Sequence, residues 1–241
     1  MLVLVLASRE HLHPHSVIIQ NSFMSKLAYC ILNTCSLIIA LGVSYLSNAG
    51  VLGGKTVGEV SNTYSTLITP ADYAFSIWGF IYLWLMAFVA YQWYALNKNI
   101  HTNILPKTGW WFALANLANA AWVVAWTQEL TGLSVLLMLI LLLSLAVLVV
   151  RLRLETWDAP VRIIAFVWWP ICWYIGWIIL AAVTNVAAYF VSAGWAGAPL
   201  SQISWTIIML VIATLIYLFL TFNRNMREAS LVGVWGFVAI A

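Results

Sequence analysis

Runs of about 20 apolar residues, separated by short polar segments, decide what this chain can fold into. They lie near 27–47, 71–95, 109–128, 131–150, 161–191 and 201–222, and a further run begins near Ala229 and reaches Ala241. Each of the first six is long enough to cross a hydrocarbon layer of roughly 30 Å as a helix. An isolated strand would leave its backbone unsatisfied in lipid, and no segment shows the alternation of an outer-membrane barrel. The expected fold is all-α, a polytopic transmembrane helix bundle. The last run is only about a dozen residues, or roughly 18 Å, and is read as an incomplete seventh span, a truncated end or an interfacial segment.

Charge supports this count. Only 7% of the 241 residues are charged and 64% are hydrophobic, whereas a soluble domain carries about 25% charged residues. Such a chain cannot coat a water-soluble globule, remain disordered or offer the basic density of a nucleic-acid binder. All ten Lys and Arg lie outside the apolar cores. Arg9, Lys26, Lys98, Lys107, Arg151, Arg153, Arg162, Arg224 and Arg227 fall on one side of the alternating topology, and Lys55 falls on the other. This bias predicts a multi-pass integral membrane protein with a cytoplasmic N-terminus.

Three regions follow. Residues 1–26 are expected to be a disordered tail, in which His11, His13 and His15 form a weaker metal-binding candidate; Met24-Ser25-Lys26 reads as a natural start. Residues 27–192 form the membrane core, and 193–241 add one transmembrane helix and the incomplete seventh span. Within the core, 48–70 is the one long connection, expected on the exterior face. It is either a lid over a cavity or a mobile solvent loop. It ends in Thr69-Pro70-Ala71-Asp72, where Thr69 can cap a helix, Pro70 suits its first turn and Asp72 faces its positive end.

The 15 Trp residues divide into two groups. Trp93, Trp110, Trp111, Trp157 and Trp195 sit at span ends, as interfacial belts require. Trp78, Trp122, Trp173 and Trp177 fall inside spans. Asn119, Trp122 and Trp126 share a face of the third span; Tyr174, Trp177, Ala181 and Asn185 share a face of the fifth; Phe75, Trp78 and Tyr82 share one in the second. They can be large-residue packing with Asn as interhelical glue, which these residues alone favour, or an aromatic pocket for a flat hydrophobic ligand.

Other chemistries drop out. No Lys or His lies within a span, so a retinal Schiff base, bis-His haem ligation and an intramembrane His metal cluster are all unavailable. There is no phosphate-binding loop and no nucleophile elbow. Glu129 has no basic partner nearby in sequence, and Cys30, Cys35 and Cys172 read as small apolar residues. No catalytic residue, metal site or required cofactor is expected, and the chain is not expected to be an enzyme.

The aromatic and Asn positions resemble the TspO/MBR family, the translocator proteins, peripheral benzodiazepine receptors or tryptophan-rich sensory proteins. Pro70, Tyr73, Phe75, Trp78 and Tyr82 follow the order of that family's second-helix motif, with Ala71 at a second proline position and one residue fewer between Phe75 and Trp78. Asn119 and Trp122 match the third-helix motif, with Ala118 in place of Leu. Tyr174, Trp177, Ala181 and Asn185 match the fifth-helix motif, where Trp173 replaces a proline and Pro170 stands as a displaced kink. The resemblance covers 27 to about 191 and marks a longer, Trp-rich branch.

The resemblance implies a five-helix core, with one or two extra C-terminal helices here, and 48–70 as the lid. It implies binding, transport or sensing of porphyrins, haem-like tetrapyrroles, sterols or isoprenoid-type lipids. Phe75, Trp78, Tyr82, Asn119, Trp122, Tyr174, Trp177, Ala181 and Asn185 would form the pocket, and Thr69, Pro70, Asp72 and Tyr73 its helix-start motif. The partners implied are the bilayer and a hydrophobic small molecule, with room for a homodimer. An enzyme modifying bound porphyrin or lipid, and a structural membrane subunit, are the alternatives.

Overall fold

The structure, a computed structural model, describes residues 14–195 and 200–240. It is helical throughout, with no strand among the described residues. The chain runs through α1 (Pro14–Asn48), a short α2 (Val57–Thr63), a 3-10 turn (Asp72–Ser76) leading into α3 (Ile77–Lys98), a short α4 (Ile104–Thr108), α5 (Trp111–Thr127), α6 (Thr131–Arg151), α7 (Val161–Ser192), α8 (Gln202–Arg224) and α9 (Arg227–Ile240). From Pro14 the backbone is helical and continuous with α1, where a tail to residue 26 was expected. His11 and His13 lie outside the described residues, as does the side chain of His15.

Five segments are long and apolar enough to cross a membrane: Ser25–Asn48, Asp72–Lys98, Thr131–Arg151, Val161–Ser192 and Gln202–Arg224. The third apolar run becomes α5, whose 17 residues rise about 26 Å. It packs on α1 and α6 and buries Phe112, Asn116, Asn119, Trp122 and Trp126. The outward faces remain apolar: Leu143 is 64% exposed and Phe222 77%. Such faces are stable against hydrocarbon. The chain is an integral membrane protein of helix-bundle type.

The basic residues gather at the end of the bundle opposite the 49–71 segment. Lys26 donates to Thr102 Oγ1 at 3.1 Å, Arg151 donates to the carbonyls of Pro106 and Lys107, and Arg162 donates to the Tyr94 hydroxyl. At the same end α7 opens with a π-helical stretch, Ile164–Trp168, just before Pro170. Proline has no N–H and its ring crowds the preceding turn, so the wider turn absorbs the mismatch.

The last apolar run docks on the bundle. Asn225 ends α8 in a left-handed conformation, φ 55°, and the chain turns back. The 14 residues of α9 then run beside α7 toward the opposite end. Gly176 of α7 makes this possible, because a Cβ there would sit 2.6 Å from the Ala229 carbonyl oxygen. Tyr217 of α8 donates its hydroxyl to the Gly176 carbonyl at 2.7 Å, closing the three-helix contact. Near its far end, the Ala239 carbonyl accepts from the Ala71 N–H at 2.8 Å. This helix thus buries Ala229, Val232, Gly233, Gly236 and Ala239 inside the protein.

Candidate functional site

The site starts where α3 does. Pro70 is followed by Ala71 in extended backbone and then by the 3-10 turn, with no side chain capping the helix start. The capping expected of Thr69 and Asp72 is absent. Thr69 Oγ1 accepts from the Thr66 N–H at 2.7 Å, and Asp72 Oδ1 accepts from Asn62 Nδ2 at 2.9 Å, so both tie down the preceding segment. Phe75 in this turn and Trp78 in the first turn of α3 both meet Trp177, at 6.1 and 6.5 Å between ring centroids. Tyr73 points away, 48% exposed, with its ring edge-on to Trp235.

Below these rings a polar set crosses five helices. The Tyr82 hydroxyl lies 2.5 Å from Ser44 Oγ and accepts from Asn119 Nδ2 at 3.0 Å. Trp122 Nε1 donates to Asn185 Oδ1 at 3.2 Å, and Asn185 Nδ2 donates to Ser134 Oγ at 2.9 Å. Trp78 stacks on Tyr82 at 5.3 Å and meets Tyr174 edge-on at 6.0 Å. Trp122 stacks on Trp126 at 5.9 Å. Buried amides in lipid-spanning helices need such partners, which fixes these helices in register.

A cavity of about 330 Å³ lies above, walled by Phe75, Trp78, Tyr82, Trp122 and Val123 and rimmed by Ser44, Asn48, Glu59 and Asp72. A narrower crevice of about 30 Å³ continues from it between Trp122, Trp126, Trp177, Ala181 and Asn185. A groove between α1 and α3 shares Ser44, Asn48, Phe75, Trp78 and Tyr82 with the cavity, so the space also opens sideways, past Leu41, Tyr45 and Gly79. Trp177 Nε1 and Tyr174 Oη are buried without a hydrogen-bond partner, as is Asn119 Oδ1. Of the nine pocket residues expected from sequence, Phe75, Trp78, Tyr82, Trp122, Trp177, Ala181 and Asn185 line the cavity or its crevice. Asn119 and Tyr174 stand behind that wall, holding or packing on Tyr82 and Trp78.

The 49–71 segment covers the cavity and is anchored rather than free in solvent. Its helix α2 has a reciprocal cap: Thr56 Oγ1 accepts from the Glu59 N–H, and Glu59 Oε2 accepts from the Thr56 N–H at 2.7 Å. These bonds hold the Glu59 carboxyl below its usual range. Trp126 Nε1 donates to the Val57 carbonyl at 3.0 Å. Gly53, at φ 81°, passes so close to α5 that a Cβ would lie 2.7 Å from the Thr127 carbonyl oxygen. Glu129 accepts from Lys55 Nζ at 2.6 Å and from the Tyr64 hydroxyl at 2.7 Å. Those two bonds, Lys55 first, lower the Glu129 carboxyl, and the carboxylate raises the Tyr64 phenol. Glu129 thus does have a basic partner, 74 residues away in sequence.

Compared with known families, residues 30–241 match TSPO-like protein. The chain belongs to that family. The match runs through α8 and α9, beyond the five-helix pattern legible from the motifs. No curated protein and no solved structure matches the chain.

In this TSPO-like chain the site can stack a planar apolar group on indole faces, offer hydroxyl and amide groups at its edge, and admit it from two directions. Ser44, Val57, Tyr64 and Ser134 complete it and escaped the sequence reading. Small hydroxyl residues in apolar runs carry no spacing signal, and a backbone carbonyl carries none at all.

Proposed function

We propose that this protein binds a flat hydrophobic ligand of the porphyrin or sterol class in the cavity under the 49–71 segment, and that it transports or senses that ligand rather than altering it. The observation that carries the reading is the aromatic-walled cavity of about 330 Å³ with its sideways opening between α1 and α3. Its volume falls in the range of small-molecule sites, roughly 300–1,000 Å³, and its apolar walls with few polar groups are typical of them. The unpartnered Trp177 N–H beside the crevice adds a donor that a ligand acceptor can satisfy.

The 49–71 segment acts as the lid, held shut by Lys55, Tyr64 and Trp126 contacts. The groove between α1 and α3 admits ligand from the bilayer. The clustering of basic residues at the far end supports a lid on the exterior face and an N-terminus in the cytoplasm. No resident cofactor is needed, since the ligand is cargo or signal.

Protoporphyrin IX titrated into the detergent-solubilised protein should quench Trp fluorescence saturably, and a sterol should compete. Replacing Trp122 and Trp177 with Phe should weaken the quenching. Saturable quenching untouched by both replacements would place the ligand elsewhere, and absence of saturable quenching by any planar hydrophobic compound would overturn the binding reading.

A further inference from the structure

At the end of the bundle opposite the cavity, three potential ligands converge from three separate elements. Glu155 comes from the loop between α6 and α7, Cys172 from α7 and Glu228 from the first turn of α9. Their ligand atoms all lie within 4.8 Å of one another. Cys172 is fully buried, at 0% exposure, and its sulfur faces the two carboxylates. Among the described residues none of these three side chains makes a hydrogen bond or an ion pair, and Glu155 Oε1 and Glu228 Oε2 are buried without a partner.

Two carboxylates and a thiol packed together are an unfavourable group unless something positive binds them. Arg227 is near enough to act on Glu155 but pairs with neither carboxylate.

We propose that Glu155, Cys172 and Glu228 bind a single zinc-class divalent cation. Thiolate ligation favours zinc over magnesium or calcium, which prefer all-oxygen sites. Three protein ligands leave a fourth tetrahedral position for water. Metal–oxygen and metal–sulfur bonds at such a site are about 2.0–2.3 Å. Binding displaces the Cys172 thiol proton, and the sulfur donates its lone pair to the metal without any change of oxidation state. The cation staples the start of α9 to α7 and to the α6–α7 loop, which fixes the helix whose far end holds Ala71.

Metal-stripped full-length protein in detergent should take up one cobalt ion with a thiolate-to-cobalt charge-transfer absorption, and zinc should abolish that absorption by competition. Zinc should raise the thermal midpoint while magnesium leaves it unchanged. Cys172→Ser should lose the absorption, Glu228→Gln should weaken cobalt uptake, and Cys35→Ser, which alters an exposed thiol, should leave both intact. The histidines at 11, 13 and 15 can bind cobalt but give no thiolate band. If the wild-type protein shows no thiolate band and no zinc-dependent midpoint shift, the site is an unmetallated carboxylate–thiol cluster and the proposal fails. A band that survives Cys172→Ser overturns it equally.

Discussion

The Lys55 ammonium lies 2.6 Å from a Glu129 carboxylate oxygen, joining the segment over the cavity to the α5–α6 turn. Both side chains are partly exposed, at 42% and 34%, so solvent screens the pair and its worth lies in holding position. Lys55→Met or Glu129→Gln should leave the fold intact and speed protoporphyrin IX association. Stopped-flow Trp quenching measures this; an unchanged association rate in both variants would exclude a gating role for the pair.

Acid should act on the same latch. The Glu129 carboxyl is held below its unfolded value, so its contribution is present above that value and is lost as pH falls through the lowered one. Ligand association should be flat near neutrality and quicken only below the ordinary carboxylate range. Glu129→Gln should remove that acid limb. A wild-type profile with no such limb would detach gating from Glu129.

Trp122 and Trp177 should separate binding from stability. Trp122→Phe breaks the bond to Asn185 and should cost about 1 kcal/mol, since one hydrogen bond is lost while Asn185 keeps Ser134. Trp177→Phe removes an N–H that has no partner and should cost less. Thermal midpoints in detergent test the order. Equal losses would mean that Trp177 bonds to something in the folded protein.

Tyr82→Phe removes the hydroxyl that meets both Ser44 and Asn119. Asn119 Oδ1 already lacks a partner, so the whole amide is then stranded in the bundle. The expected loss is about 1–3 kcal/mol, read as a lowered midpoint. A loss much smaller than that would show that the amide finds a new partner.

Gly176→Ala should undo the docking of α9, because the added methyl meets Ala229 backbone at 2.6 and 2.9 Å. Overpacking of this kind costs about 1–3 kcal/mol. Gly42→Ala, with nothing within 4 Å of its Cβ, is the neutral comparison. Faster proteolysis near Arg224–Arg227 in the first variant alone is the expected readout.

Much of this architecture was readable from residue order. The apolar runs located the helices because lipid forces each to satisfy its own backbone. The Asn119–Trp122 and Trp177–Asn185 stripes lay at helical spacing, and they do meet across α5 and α7. Other features rest on distances that sequence does not display. Lys55 reaches Glu129 across 74 positions, and the buried Asn33–Gln92 bond joins α1 to α3 across 59. The helix start at 69–72 is legible from Pro70 and Asp72, and Asp72 lies in the first turn, but that turn is 3-10 and no side chain caps it. The docking of the final run depends on Gly176, an unremarkable glycine until its neighbour is known.

The sideways opening between α1 and α3 sets the units in which affinity should be expressed. A site filled from the bilayer responds to the mole fraction of ligand dissolved in lipid, not to its molarity in water. At fixed total ligand, diluting the protein with more lipid should lower occupancy in proportion, with no change in any protein contact. Two preparations differing only in detergent or lipid content would then report different apparent dissociation constants for one unchanged cavity.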